Sequence, residues 1–387
     1  MTVRFLMAAS SVSCEVLIVG AGPAGASLAA WLSEDGWDCV LVDKAHFPRR
    51  KPCAGCFAPK SFPSLRRLGL EEIVKTGQRI RFLELRVPGR AVRLDTGRNP
   101  LGGDFWVFPR ERFDALLVDT ARKRGARVFE GVEIQSLQRR GGRVVGATAR
   151  DFSFRSEVTV IATGANLRFL PAEHKMRVRR YQALIGWFDE CSHLDPSTTD
   201  AFCAPWLPGN AWIFPESEGR ANVGIMVHAE NLRRSGGNVR RLFDAYCAET
   251  GTALRLSGAR RPERLWGCPI QYAARPVGIC GDGFLSIGEA SLLTHPMTGE
   301  GISHALRSAE AAAQTLTRAR ETGTYGGEAL LEYDRRIRSI WARNFRKACL
   351  LRRVLDSPNL MKGLIGLANR VGWVAGMVET HLDRFAL

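Results

Sequence analysis

The chain has no run of roughly eighteen or more apolar residues, so no transmembrane helix is expected. Its opening, MTVRFLMAASSVS, holds an apolar run of only five residues, FLMAA. That is too short for the core of a secretory signal, and residues 1–13 read as a disordered leader. Cysteine is sparse: ten in 387 residues, irregularly spaced. This density excludes a disulfide scaffold and fits small buried hydrophobes in a reducing compartment. Metal ligands are scarce too. The one CxxC, Cys53–Cys56, has only His46 as a further neighbour, whereas a structural zinc needs about four ligands. No metal is expected. Acidic residues are in deficit: 39 Asp and Glu against 55 Lys and Arg leave a formal charge of +16. The basic residues lie scattered in pairs such as Arg260–Arg261 and Arg352–Arg353, with no aromatic-interleaved stripe. Nucleic acid is therefore not expected. An anionic lipid, a phosphorylated substrate or a plain Arg-rich composition bias remain. What is present is a globular balance, 45% hydrophobic and 24% charged, in a chain long enough for two joined domains.

The strongest positive signal is CEVLIVGAGPAGASLAAWLSEDGWDCVLVDK, residues 14–44. VLIV reads as a buried parallel strand, and Gly20-x-Gly22-x-x-Gly25 opens a helix of small residues. A second strand, CVLVD, ends at Asp43. Gly20 makes the tight turn, Gly22 lets a pyrophosphate approach the backbone, and Gly25 lets the helix pack on the strand. The helix N-terminus offers free N–H groups and partial positive charge to phosphate, and Asp43 can accept from ribose hydroxyls. With strand, turn, helix, strand and acid all in order, a dinucleotide site is expected. It comprises Gly20, Gly22, Pro23, Ala24, Gly25, Asp43 and Lys44. No second GxGxxG occurs, which argues against flavoproteins with a separate pyridine-nucleotide domain.

Four stretches carry a resemblance. The form G-A-G-P-A-G, the stretch GDGFLSIGEASLLTHPMTGEGISHALRSAEAAA (281–313) and the helix RERFDALL from Arg110 are similar to elements of the p-hydroxybenzoate hydroxylase-like flavoprotein superfamily. VTVIATGANL (158–167) is similar to the strand and turn that close its cofactor domain. The resemblance implies FAD as cofactor, held also by Arg110, Ala162, Gly164, Gly288, Glu289, Pro296, Gly299, Gly301 and Ile302. Glu289 stands where the superfamily has Asp.

Within the superfamily the chain resembles the geranylgeranyl reductase family. LPGNAWIFP (207–215) matches its P-x-x-Y-x-W-x-F-P element at Trp212, Phe214 and Pro215, with Asn210 in place of Tyr. FPRRKPCAGCFAPKS (47–61) resembles its K-x-C-G-G loop through Lys51, Cys53 and Gly55, with Cys56 in place of glycine. The resemblance implies an α/β fold. A Rossmann-like FAD domain (14–76, 106–169, 276–320) would carry an inserted antiparallel-sheet substrate domain (77–105, 170–275), followed by a helical region (321–387). The period-2 stretches RFLELRV and RANVGIMV would roof the flavin. Residues 359–378, apolar but broken by Lys362 and Arg370, read as core packing, with a membrane-facing helix as the alternative.

The implied reaction is reduction of C=C bonds in a hydrophobic, isoprenoid substrate by hydride from flavin N5. NAD(P)H is the expected external donor. Cys53, His295 and Trp212 are the catalytic candidates. Trp212, Phe214, Pro215 and Cys56 are the candidates for the pocket. A flavin monooxygenase or halogenase shares the fold and is the alternative activity; a flavin carrier without catalysis would not need the substrate domain. The expected setting is cytoplasmic, with peripheral membrane contact open, and the substrate could bear a diphosphate or be a membrane lipid. Oligomeric state is not legible.

Overall fold

The computed structural model describes residues 10–98, 103–234, 237–355, 357, 360, 362–363 and 365–367. Its central sheet is built on two ten-residue strands, β1 (Ser10–Val19) and β11 (Phe152–Ile161), paired in parallel. β2 (Cys39–Val42) and β8 (Arg127–Phe129) continue the parallel sheet on one side. β18 (Phe284–Ser286) joins β11 in parallel on the other, with β17 (Cys280–Gly281) antiparallel at the edge. A hairpin of β9 (Ser136–Arg140) and β10 (Arg143–Thr148) pairs with the first half of β11. Its turn is Gly141-Gly142, both at positive φ, as the twist of a tight hairpin requires. The expected leader is corrected here. Residues 10–13 are strand, because the extension of β11 offers Phe152–Arg155 as an edge for them. Residues 1–9 lie outside the described residues, as does most of 359–378.

Three helices cover one face of this sheet: Pro23–Glu34, Arg110–Lys123 and Ile302–Glu321. Their contact is made by small side chains. Ala26, Ala29 and Ala30 are fully buried in the same core as Ala309, Ala312 and Leu316. The long helix Gly327–Leu355 then packs on Ile302–Glu321. It buries Tyr333, Ile337, Trp341 and Phe345, one residue per turn along a single stripe.

A seven-stranded sheet lies within 77–105 and 170–275. It comprises β5 (Phe82–Val87), β6 (Arg90–Asp95), β12 (Arg179–Phe188), β13 (Thr198–Ala204), β14 (Leu207–Pro215), β15 (Ala221–His228) and β16 (Trp266–Tyr272). The order is β16-β12-β15-β14-β13-β5-β6. One pairing departs from the expected antiparallel pattern: β13 runs parallel to β5. These two strands come from different insertions, so no hairpin dictates their direction. A small sheet of β3 (Cys56–Phe57), β7 (Phe105–Val107) and β4 (Gln78–Ile80) joins the two parts.

The seven-stranded sheet is pinned by one buried charge cluster. Asp200 is 2% exposed and accepts from Arg86 Nε at 2.8 Å and from the Ile213 N–H at 2.6 Å. Arg86 reaches on to Thr252 Oγ1 at 2.8 Å and Glu249 at 3.3 Å, tying the sheet to the helices that cover it.

Candidate active site

The three glycines of the first turn do separate jobs. Gly20 is held at φ +109, and a Cβ there would stand 2.4 Å from the Ala162 carbonyl oxygen. A Cβ on Gly25 would fall 1.9 Å from Gly20 O, so Gly25 seats the helix rather than lining the site. Gly22 faces open space; the nearest atom to its missing Cβ is Arg49 Nη2, 3.8 Å away. No side chain caps the helix that starts at Pro23, leaving its first N–H groups for an anion. Asp43 is already engaged: Oδ2 accepts from the Ala21 N–H at 2.7 Å and Oδ1 from the Ala45 N–H at 2.8 Å. Each oxygen retains a lone pair, and both Asp43 and Lys44 border the cavity.

Arg49 hangs over this turn, and sequence reasoning missed it. Its guanidinium lies on the Phe47 ring at 4.9 Å and pairs with Asp114 at 3.1 Å. Asp114 is fully buried and also takes a two-pronged bond from Arg110, at 2.8 and 2.9 Å. One carboxylate thus aims two arginines at the cofactor side. Burial disfavours the charge of Arg110, but Asp114 and the Cys53 sulfur more than offset it, and its pKa lies above the ordinary value.

The second cofactor loop divides in the same way. Gly288, at φ +64, packs against Ala24 and Ala305 and does not border the cavity. Glu289 does. Its Oε1 accepts from the Gln271 N–H at 3.0 Å, and a Cβ on Gly164 would stand 4.0 Å from Oε2. Burial pushes its carboxyl up, against the pull of Lys51. Ala162, Gly164, Gly299, Gly301 and Ile302 border the cavity, whereas Pro296 does not; its carbonyl accepts from Tyr181 Oη at 2.6 Å. His295 is corrected as a catalytic candidate. It is fully buried away from the cavity, with Nδ1 facing the Thr298 hydroxyl at 3.0 Å and Nε2 facing Asn344 Oδ1 at 3.3 Å. Burial, helped by Lys60, pushes its pKa down to about 3. It is a neutral ring that ties the loop to the helix Gly327–Leu355.

The cavity has a volume of about 990 Å³. One end is the glycine turn and Asp43. The other is apolar, walled by Leu83, Leu85, Val92, Leu94, Ile185, Trp212, Phe214 and Met226, and closed by Leu351 and Ile365. The Trp212 indole donates to Asn222 at 2.9 Å, which fixes its ring in the wall. Pro215 is buried at the end of β14 and is not part of the lining. Cys53, Cys56 and Glu300 also border the cavity, and Glu300 is paired with Lys60 at 2.7 Å, both side chains almost wholly buried. Lys60 and Glu300 were also missed. The available signal was Glu300 itself, an acid between the two cofactor glycines Gly299 and Gly301.

A family model described as FAD binding domain matches residues 13–162. A second, described as FAD dependent oxidoreductase, matches residues 101–315, more than half of the chain. The chain belongs to the FAD dependent oxidoreductase family. Among the relatives of this oxidoreductase is a menaquinone reductase of Mycobacterium tuberculosis, 27% identical, with 79% of this chain aligned to 76% of that one. A 1H-pyrrole-2-carbonyl-[peptidyl-carrier protein] chlorinase of Pseudomonas fluorescens is 25% identical over 84% of this chain and 80% of its own. A geranylgeranyl bacteriochlorophyll reductase-like structure from Thermoplasma acidophilum shares the fold. Its TM-score is 0.82 at 21% identity, over 97% of this chain and all of the other.

The oxidoreductase's residues fit FAD. The open space at Gly22, the uncapped helix and Arg49 suit the pyrophosphate; the free lone pairs of Asp43 suit the ribose; Glu289 and Gly299–Ile302 suit the rest of the molecule. The two cysteines part company. Neither is in a disulfide. Cys53 lies beside Arg110, with the Gly55 N–H directed at its sulfur at 3.4 Å. Cys56 sits in β3 opposite Val107, where burial pushes its thiol up. Among the described residues no cluster suits a metal ion.

The buried histidines predict an acid response. His304, stacked on Trp341, has no hydrogen-bond partner for either ring nitrogen among the described residues, and burial lowers its pKa as it does that of His295. Both stay neutral in the fold, whereas in the unfolded chain they protonate below roughly pH 6.5. The unfolded state then binds more protons, so stability falls on acidification by up to about 1.4 kcal/mol per pH unit for each histidine. Urea midpoints between about pH 7 and pH 5 should show this fall, and His304→Phe should shallow it.

Proposed function

We propose that this FAD dependent oxidoreductase saturates C=C bonds of a hydrophobic, isoprenoid-bearing substrate. The observation that carries the proposal is the continuity of the apolar chamber of Trp212, Phe214, Leu83 and Leu94 with the cofactor end. An uncharged chain gains about 25 cal/mol for each Å² it buries there. Names among the similar proteins, menaquinone reductase and geranylgeranyl bacteriochlorophyll reductase-like, fit such a substrate. The excess of positive charge fits an anionic lipid surface or a diphosphate head group. Among the described residues no helix is long and apolar enough to cross a membrane.

FAD, once reduced, supplies a hydride. The protein must place the alkene and deliver a proton to its other carbon. Trp212 and Phe214 present ring faces to the alkene and exclude water. Cys53 is a protic side chain on the loop that borders the chamber, held beside Arg110. Cys53→Ser should lower turnover or change the number of bonds reduced, and Cys56→Ser should do little. Equal and complete loss in both variants would instead indicate a dithiol mechanism. The reaction itself is tested by anaerobic incubation of dithionite-reduced protein with a panel of prenyl compounds. Mass spectrometry should show two added hydrogens per bond; no gain with any of them would overturn the proposal.

One observation favours a second reading, an oxygen-dependent monooxygenase or halogenase. Halogenation needs a well-placed lysine, and Lys51 borders the cavity with no ion-pair partner among the described residues. Lys75 does not qualify, being bound to Glu71 and Glu72 on the surface. Product that forms only when oxygen and halide are present would decide for this reading.

A further inference from the structure

We propose that the exposed side of the helix Gly327–Leu355, toward its C-terminal end, docks the protein on an anionic lipid bilayer and sets the apolar end of the cavity against it. The inference rests on the isoprenoid reading for what enters the cavity, but not for the docking itself. Residues 335–355 hold eight Lys and Arg and no Asp or Glu. The acids just before them serve only the nearest arginines. Glu332 pairs with Arg335 and Arg336, at 3.5 and 3.2 Å, and Asp334 with Arg338 at 2.7 Å. Arg343, Arg346 and Lys347 are exposed, and among the described residues none of them has a carboxylate within ion-pair distance. With Leu350, 64% exposed, they follow the i, i+3, i+4, i+7 spacing of a single helix face. That face lies opposite the buried stripe of Trp341, Phe345 and Ala348.

The neighbouring chain has the same character. Cys349 Sγ is directed at the Ala274 carbonyl, 3.8 Å away, and Arg352 bonds the Tyr272 hydroxyl, so residues 272–275 run along this end of the helix. They bring the exposed Arg275, and Tyr272 stands in register with Arg179, also exposed. The loop ahead of Arg179 adds Lys175, Arg177 and Met176, the last 87% exposed, with Glu173 as its one acid. None of these four cations has a carboxylate partner among the described residues.

Position decides the occupant. Leu351 and Ile365 border the apolar end of the cavity, while Leu350 and Leu367, close to them in the chain, are exposed. Apolar surface therefore passes from the outside of the molecule to the cavity lining between adjacent residues. A nucleic acid or an acidic protein would match the cations but not the aliphatic side chains among them. An anionic bilayer meets the cations with its head groups and takes Leu350 and Met176 into its interface. An apolar chain then moves from lipid to cavity wall without crossing water.

The test uses FAD-loaded protein and flotation with vesicles, either phosphatidylcholine alone or equal parts phosphatidylcholine and phosphatidylglycerol. Protein should float with the anionic vesicles and not with the neutral ones, and added salt should release it. Each cation is worth about five-fold in partitioning. The triple variant Arg343→Glu, Arg346→Glu, Lys347→Glu should therefore lose more than about a hundred-fold. Its circular dichroism and FAD content should match the parent, because these side chains are solvated. Lys175→Glu with Arg177→Glu, on the separate loop, should give a second loss. Reduction of a short prenyl compound dispersed in detergent should be unaltered in both variants, whereas reduction of a long one held in anionic vesicles should fall with flotation. Equal flotation with neutral vesicles, flotation unaltered by both sets of reversals, or binding to duplex DNA or an acidic protein but to neither kind of vesicle would each overturn the face. Charge-dependent flotation with no prenyl compound reduced would leave the face standing and remove the isoprenoid reading instead.

Discussion

Gly22→Val is expected to give a folded protein that retains no FAD. Gly22 has φ −74 and ψ −175, a backbone conformation open to valine. A Cβ there would meet no atom of the fold closer than Arg49 Nη2 at 3.8 Å, so neither the backbone nor the Cβ opposes folding. The valine side chain would fill the space through which a pyrophosphate reaches the uncapped helix N-terminus. Losing two charge-assisted hydrogen bonds, at roughly 1.5–3 kcal/mol each, lowers affinity by about a hundred-fold or more. The measurement is the flavin-to-protein absorbance ratio after purification, with circular dichroism to show that the fold is intact. Gly25→Ala is the contrasting control. Its Cβ would strike Gly20 O at 1.9 Å, so it should lose the fold along with the flavin. A flavin content like that of the parent in Gly22→Val would remove the pyrophosphate assignment.

Asp114→Ala is expected to cost about 3–5 kcal/mol of stability, the usual penalty for breaking a buried ion pair from one side. Asp114 is fully buried and holds both Arg110 and Arg49. Truncation strands the Arg110 guanidinium, whose side chain is only 9% exposed, without its carboxylate. Arg49 is stranded less, because water reaches it. Urea unfolding of the two apo proteins compares them directly, and FAD affinity should fall in parallel as both arginines lose their aim. Arg49→Ala should weaken FAD with little loss of stability. A stability change below about 1 kcal/mol in Asp114→Ala would show that Arg110 finds another partner or water.

The Cys53–Cys56 pair shows how far local pattern reaches. Spacing alone allows a metal, a dithiol or a pocket. The fold gives the cysteines different neighbours, Arg110 for one and the strand partner Val107 for the other, and neither assignment is written in the spacing. His295 is a similar case. Its position in the cofactor loop suggested chemistry, but its ring is turned to Asn344, 49 residues downstream on the helix Gly327–Leu355.

Sequence by itself determined the first strand, turn and helix, with the acid at the end of the second strand at Asp43; the Arg110 helix and the Gly288–Ile302 loop were legible through the family resemblance. In the first unit one strand–turn–helix–strand run carries the whole pattern, so backbone geometry and short-range sterics suffice. Only the tertiary structure decided that Arg49 covers Gly22 and that Asp114 aims both arginines. It also brought Lys60 to Glu300 and closed strands from two insertions into one apolar chamber beside the cofactor end. Those groups lie tens to hundreds of residues apart, and burial of the shared core, not local preference, brings them together.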